Sequence, residues 1–111
     1  MKAKIRINDL EIVIDGLKKV SGIGKYTGLM FRKNSPALLF EFGSGRMAIH
    51  SFFCRPFIAV WISKGKVVEY KIVRGWRPFI APKRDFDRLI EIPLNEKYSH
   101  LLEFFEDKYS D

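Results

Sequence analysis

The 111 residues hold one cysteine, Cys54, one threonine, Thr27, and no glutamine. A lone cysteine excludes an internal disulfide and any cysteine-rich zinc site, and it suits a reducing compartment. His50 and His100 are the only histidines. With Cys54 they fall short of the about four ligands a zinc ion takes, so no metal and no cofactor is expected. Long apolar runs are missing as well. The longest, near Phe57 to Ile62, is far below the roughly 20 residues of a membrane-spanning helix. Lys2, Lys4 and Arg6 break up the start, where a secretory signal would need an apolar stretch. The expectation is a cytoplasmic chain with no membrane partner.

Acidic residues are scarce in one long stretch. Residues 16–84 carry fourteen Lys and Arg against two acids, Glu41 and Glu69. The last twenty-seven residues reverse the balance, with eight acids against Arg88, Lys97 and Lys108, and the whole chain is +7. Segregated charge of this kind builds a one-sign field that attracts anions. Few thermolabile residues among many Lys, Arg and Glu also follows the trend of proteins from hot environments.

What is present is an apolar, aromatic-rich chain with ten Phe, enough for a packed core and too hydrophobic for disorder. The dominant period is two. Ala3, Ile5 and Ile7 alternate with Lys2, Lys4 and Arg6, and Leu10, Ile12 and Ile14 follow after Asn8-Asp9, a pair suited to a hairpin turn. Leu38, Phe40 and Phe42 alternate with Leu39 and Glu41; Gly43-Ser44-Gly45 then turns into Arg46 to Phe52. Phe57 to Ile62 is apolar on both faces and predicts a covered central strand. Lys64-Gly65 is a turn, after which Val68, Tyr70 and Ile72 are expected to face inward and Glu69 and Lys71 outward. A last strand runs from about Phe86 to Ile92 and stops at Pro93. Tyr98, Leu101, Leu102 and Phe105 then change to helical spacing, with Asn95 as N-cap. The fold expected is mainly β: a single domain over residues 1–111, a β-sandwich or small barrel with a C-terminal α-helix at about 95–108.

Gly28-Leu29-Met30-Phe31-Arg32 resembles the signature of an uncharacterised family, domain of unknown function 192. Leu39-Phe40-Glu41-Phe42, Pro56, Lys66-Val67-Val68 and Leu89-Ile90-Glu91-Ile92-Pro93 resemble its further motifs in the same order, so the likeness spans residues 28–93. It departs around Pro56. The family commonly has an aromatic, Met, an amide and Thr before that proline and an acid two residues after it; here the stretch is His50-Ser51-Phe52-Phe53-Cys54-Arg55-Pro56-Phe57-Ile58, and Ile58 takes the place of the acid. The resemblance implies a compact β-rich domain and no established activity.

Three constellations carry candidate chemistry. Leu17-x-x-Val20-x-Gly22-x-Gly24-x-x-x-Gly28 partly matches a helix-hairpin-helix, whose glycine turn offers backbone N–H groups to a phosphate; a glycine-rich connection is the simpler reading. The run Arg74-Gly75-Trp76-Arg77-Pro78-Phe79-Ile80-Ala81-Pro82-Lys83-Arg84 has four cations and no acid, so its aromatics can stack bases while its cations hold phosphates. The bland alternative is a surface loop with its aromatics tucked against the core. The group Arg32, Glu41, His50, Arg55 and Glu91 can make either an acid–base site or structural hydrogen-bonded pairs.

The first reading is a small basic module, not an enzyme, that binds an anionic partner such as RNA or another nucleic acid or polyanion. Arg32, Arg55, Arg74, Trp76, Arg77, Lys83 and Arg84 would carry it. An enzyme or small-ligand binder with a polar pocket near Arg32, Glu41 and His50, or a protein-interaction domain using the helix or an edge strand, are the alternatives.

Overall fold

A computed structural model describes residues 1–7, 10–20, 35–41, 56–76 and 80–106. Among them are seven strands in two sheets: β1 (Ala3–Ile7), β2 (Leu10–Ile14), β3 (Lys18–Val20), β4 (Leu38–Glu41), β5 (Phe57–Ser63), β6 (Lys66–Val73) and β7 (Arg88–Pro93). β1 and β2 form an antiparallel hairpin, with Ile5 opposite Ile12 and Ile7 opposite Leu10. The other five form a sheet in the order β3-β4-β7-β5-β6, in which only the β3–β4 pairing is parallel. No barrel closes.

The five-stranded sheet separates two apolar clusters. On one face Ile58, Val60, Ile62, Ile90 and Ile92 meet Ile5, Ile7, Ile12 and Ile14 of the hairpin together with Tyr98, Leu101 and Phe105. On the other face Leu38, Phe40, Phe57, Ala59, Trp61 and Leu89 gather with Ile80 and Phe86. β5 and β7 therefore lose solvent on both sides, and every residue from Phe57 to Ile62 is buried. Fully burying one such side chain is worth roughly 1.5–3 kcal/mol, which makes this unbroken apolar stretch the centre of the sheet, as its composition predicts.

The C-terminal helix is shorter than its periodicity suggests. Asn95 to Tyr98 form a turn, Ser99–Leu101 a 3-10 turn, and only Leu102–Glu106 is α-helical (α1). Tyr98, at φ −118° and ψ 4°, is not helical, so no helix runs continuously over 95–108. The apolar face survives the break: Tyr98, Leu101 and Phe105 are buried, and Leu102 is half-buried. Asn95 caps the turn rather than a helix. Its Oδ1 accepts from the Lys97 N–H (3.1 Å) and its Nδ2 donates to the Ser35 carbonyl (3.1 Å).

Two further differences are local. Lys18–Val20 is extended and pairs in parallel with Leu38–Phe40, so these residues cannot form the first helix of a helix-hairpin-helix; its glycines at 22, 24 and 28 lie outside the described residues. In β6 the register slips where Trp61 faces Glu69 and Ile62 faces Val67. The unpaired residue is Val68, a bulge that packs with the Trp61 cluster, whereas Val67, Tyr70 and Ile72 pack on the opposite face. Val68 thus does not share the face of Tyr70 and Ile72. The Asn8-Asp9 turn and the expected strand at Arg46 to Phe52 fall outside the described residues.

Candidate functional site

Arg74, Trp76, Lys83 and Arg84 of the cationic run are all exposed, and Trp76 keeps 60 % of its surface in solvent. The return limb of this loop is held by β6. Lys71 Nζ donates to the Ala81 carbonyl at 3.0 Å, and Glu69 Oε1 accepts from the Lys83 N–H at 2.9 Å. Lys71 and Glu69 also pair with each other at 3.4 Å. Ile80 and Pro82, on either side of Ala81, are buried, so the limb carrying Lys83 and Arg84 has a defined course while the two cations project. Alternation marked Glu69 and Lys71 as a pair on one face of β6, but nothing in the sequence tied them to residues ten and fourteen positions later.

The polar group comes apart. Glu41 lies with Leu39 on the face of β4 that looks toward the hairpin cluster, and it pairs with Lys19 (2.6 Å) and Arg88 (3.4 Å). These are half-exposed pairs worth at most about 1 kcal/mol each. Glu91 stands opposite Leu38 and Ala59, residues of the other cluster. The sheet therefore separates Glu41 from Glu91. Arg32, His50, Arg55 and Arg77 lie outside the described residues, as does Cys54.

Glu91 is 5 % exposed, and burial pushes its carboxyl up to about 8. Desolvation disfavours the ionised form, so at neutral pH the side chain is mostly the protonated acid. On the same face the Trp61 indole Nε1 is buried and, among the described residues, meets no acceptor; at the start of β7 Asp87 Oδ1 is likewise buried and meets no donor among them. Trp61 meets Phe86 edge to face at 6.4 Å between ring centroids, and Lys71 Nζ lies 5.8 Å from the Trp61 ring centroid. Among the described residues no group of three or more His, Cys, Asp or Glu side chains could hold a metal ion, and no helix is long and apolar enough to cross a membrane.

No family model and no curated protein sequence matches the chain. Solved structures do. A protein of unknown function from Novosphingobium aromaticivorans superposes with a TM-score of 0.69 at 14 % identity, over 90 % of this chain and 76 % of that one. A protein from Sinorhizobium meliloti with a provisional transcription-regulator label superposes with a TM-score of 0.67 at 15 % identity, over 88 % of this chain and 81 % of that one. At such identities the likeness is one of fold: this mainly β architecture is shared with proteins whose function is not known.

Proposed function

We propose that the chain is a cytoplasmic, non-enzymatic module that binds single-stranded RNA, and that the loop from Arg74 to Arg84 is its contact surface. The observation that carries this reading is Trp76. A tryptophan that leaves 60 % of its surface in water forgoes burial, and this one stands in a run with four cations and no acid. The Glu69–Lys71 contacts on the return limb reduce the ordering cost of binding there. Stacking on an indole is tolerant of base identity, so the reading is one of RNA held by backbone charge and stacking. The ordered motifs over residues 28–93 are taken as membership of the family of domain of unknown function 192. A mainly β fold is what that resemblance implies, and it adds no chemistry.

The test is fluorescence anisotropy with labelled single-stranded RNA, duplex DNA and heparin across a salt series. The variant Arg74→Ala/Trp76→Ala/Arg77→Ala runs beside the wild type. Phosphates neutralised by Arg74, Lys83 and Arg84 give a log K against log salt slope of roughly −2. Trp76→Ala alone is expected to cost about 1–3 kcal/mol of binding. Equal, weak binding to all three polyanions that disappears at physiological salt would overturn the proposal.

A further inference from the structure

Residues 80–87 run back along β6. The Ala81 carbonyl accepts from Lys71 Nζ at 3.0 Å, and the Lys83 N–H donates to Glu69 Oε1 at 2.9 Å. Further on, Asp87 Oδ2 accepts from the Lys64 N–H at 3.4 Å. As the chain advances from 81 to 87, its partners step back from 71 to 64, so the limb is laid antiparallel along β6. Ile80 and Phe86 hold its two ends, because both are buried in the Trp61 cluster.

This course lines up cations that are distant in sequence. Arg74 and Trp76 stand just beyond the C-terminal end of β6, Lys83 and Arg84 beside its middle, and Lys64 and Lys66 at its N-terminal end; all six are exposed. Lys66 stands opposite Ser63, two residues beyond Trp61, so alternation puts its side chain on the limb's side of the sheet. From Lys66 to Arg74 the strand advances roughly 26 Å. Among the described residues the side chains of Lys64, Lys66, Lys83 and Arg84 make no ion pair. Two of the three acids on the same line are turned inward. Glu69 is half-buried, and its carboxylate is engaged by the Lys83 N–H and Lys71. Asp87 is half-buried with its Oδ1 out of solvent, and Asp85 is the exposed one.

We propose that the RNA site extends from Trp76 along the whole of β6 to the turn at Lys64 and Lys66, so that its ligand is a single strand whose phosphates follow the limb. This rests on the reading of the Trp76 loop as an RNA contact, and it adds a second anchor from a different turn of the chain. Stacked nucleotides advance about 3.4 Å each along one strand and unstacked ones further, so the track takes at most about eight. Trp76 stacks a base at one end, and Lys83, Arg84, Lys66 and Lys64 meet phosphates toward the other. Cations that meet phosphates carry no sequence information. The turn therefore selects for the length of the strand and not for its bases.

The probes are a trinucleotide and an octanucleotide of adenylate, followed by quenching of tryptophan fluorescence across a salt series. The proteins are wild type, Lys64→Gln/Lys66→Gln, and Lys4→Gln/Arg6→Gln, which removes the same charge from exposed positions of the hairpin. On the octanucleotide, wild type is expected to show a log K against log salt slope of about −3.5, and Lys64→Gln/Lys66→Gln a slope of about −2. The hairpin variant is expected to keep the wild-type slope. The trinucleotide reaches only the Trp76 end and is expected to bind wild type and the turn variant equally. If wild type binds neither probe, the loop reading and its extension fall together. If Trp76 is quenched but the turn variant keeps the wild-type affinity and slope on the octanucleotide, the extension alone is overturned. An equal loss in the hairpin variant also overturns it, because net charge and not position would then set the affinity.

Discussion

The Tyr98 hydroxyl accepts a hydrogen bond from the Ala37 backbone N–H at 2.8 Å, across 61 residues of chain. The same hydroxyl donates to the Asp15 carbonyl at 2.8 Å. One phenol thus joins the chain leaving the hairpin, the chain entering β4 and the C-terminal turn. The ring is 1 % exposed, so neither bond can be exchanged for water. Tyr98→Phe leaves the Ala37 N–H without its partner while keeping the ring. The expected loss is about 1–3 kcal/mol, read as a lower urea midpoint with an unchanged slope. A midpoint equal to wild type would mean that these bonds carry no net stability.

Glu91 makes the stability depend on pH. Its carboxyl titrates near 8 in the folded protein against an ordinary value of 4.5, so between these values the folded chain holds a proton that the unfolded chain has released. The stability this contributes is present in full below about 4.5, declines as pH rises, and is gone above about 8. At its steepest the decline is about 1.4 kcal/mol per pH unit. Glu91→Gln is expected to remove that decline and to be the more stable protein at pH 9. Urea unfolding of both proteins from pH 5 to 9 checks this, and parallel curves would refute it.

Lys64 and Gly65 both have positive φ, 50° and 80°, in the turn between β5 and β6. That backbone matches the right-handed twist of a two-residue hairpin. A Cβ on Gly65 meets no atom within 4 Å, so Gly65→Ala tests the backbone alone. It is expected to cost on the order of 1 kcal/mol with no change in the sheet's spectroscopic signature. An unchanged melting temperature would contradict the argument.

The hold of β6 on the cationic loop can be read at one amide. Glu69→Ala removes the acceptor of the Lys83 N–H, a loss of about 1 kcal/mol. That amide is then expected to exchange with deuterium roughly fivefold faster, while amides in β5 keep their protection. Equal exchange in the two proteins would show that the limb is held by its buried Ile80 and Pro82 instead.

Much of this architecture was legible in the order of residues. Alternation located the hairpin strands and β4, because a strand with one covered face must repeat every two residues. Phe57 to Ile62 declared itself central because only a strand covered on both sides carries no polar position. The exposure of Trp76 was not legible, since the run's charges suited a surface loop but left open whether its aromatics turn outward or tuck against the core, and Ile80 of the same run is buried. The shortened helix was not legible, because Tyr98 obeys helical spacing and yet lies outside helical geometry, its hydroxyl bonded to distant backbone at Ala37 and Asp15. Nor was the Val68 bulge, which depends on how β6 registers against β5. Strand β3 is three residues long and too short for any period to show.

Glu91 marks the boundary between the two kinds of information. Its sequence neighbours predict a strand, and its chemistry makes it a candidate wherever it lies. Its separation from Glu41, its place opposite Ala59 and its retained proton exist only once β7 is inserted between β4 and β5. Local sequence sets which face of a strand is apolar, whereas the sheet order decides which strands are its neighbours and how much water is left around a carboxyl. The free energy of ionising that carboxyl depends on the second.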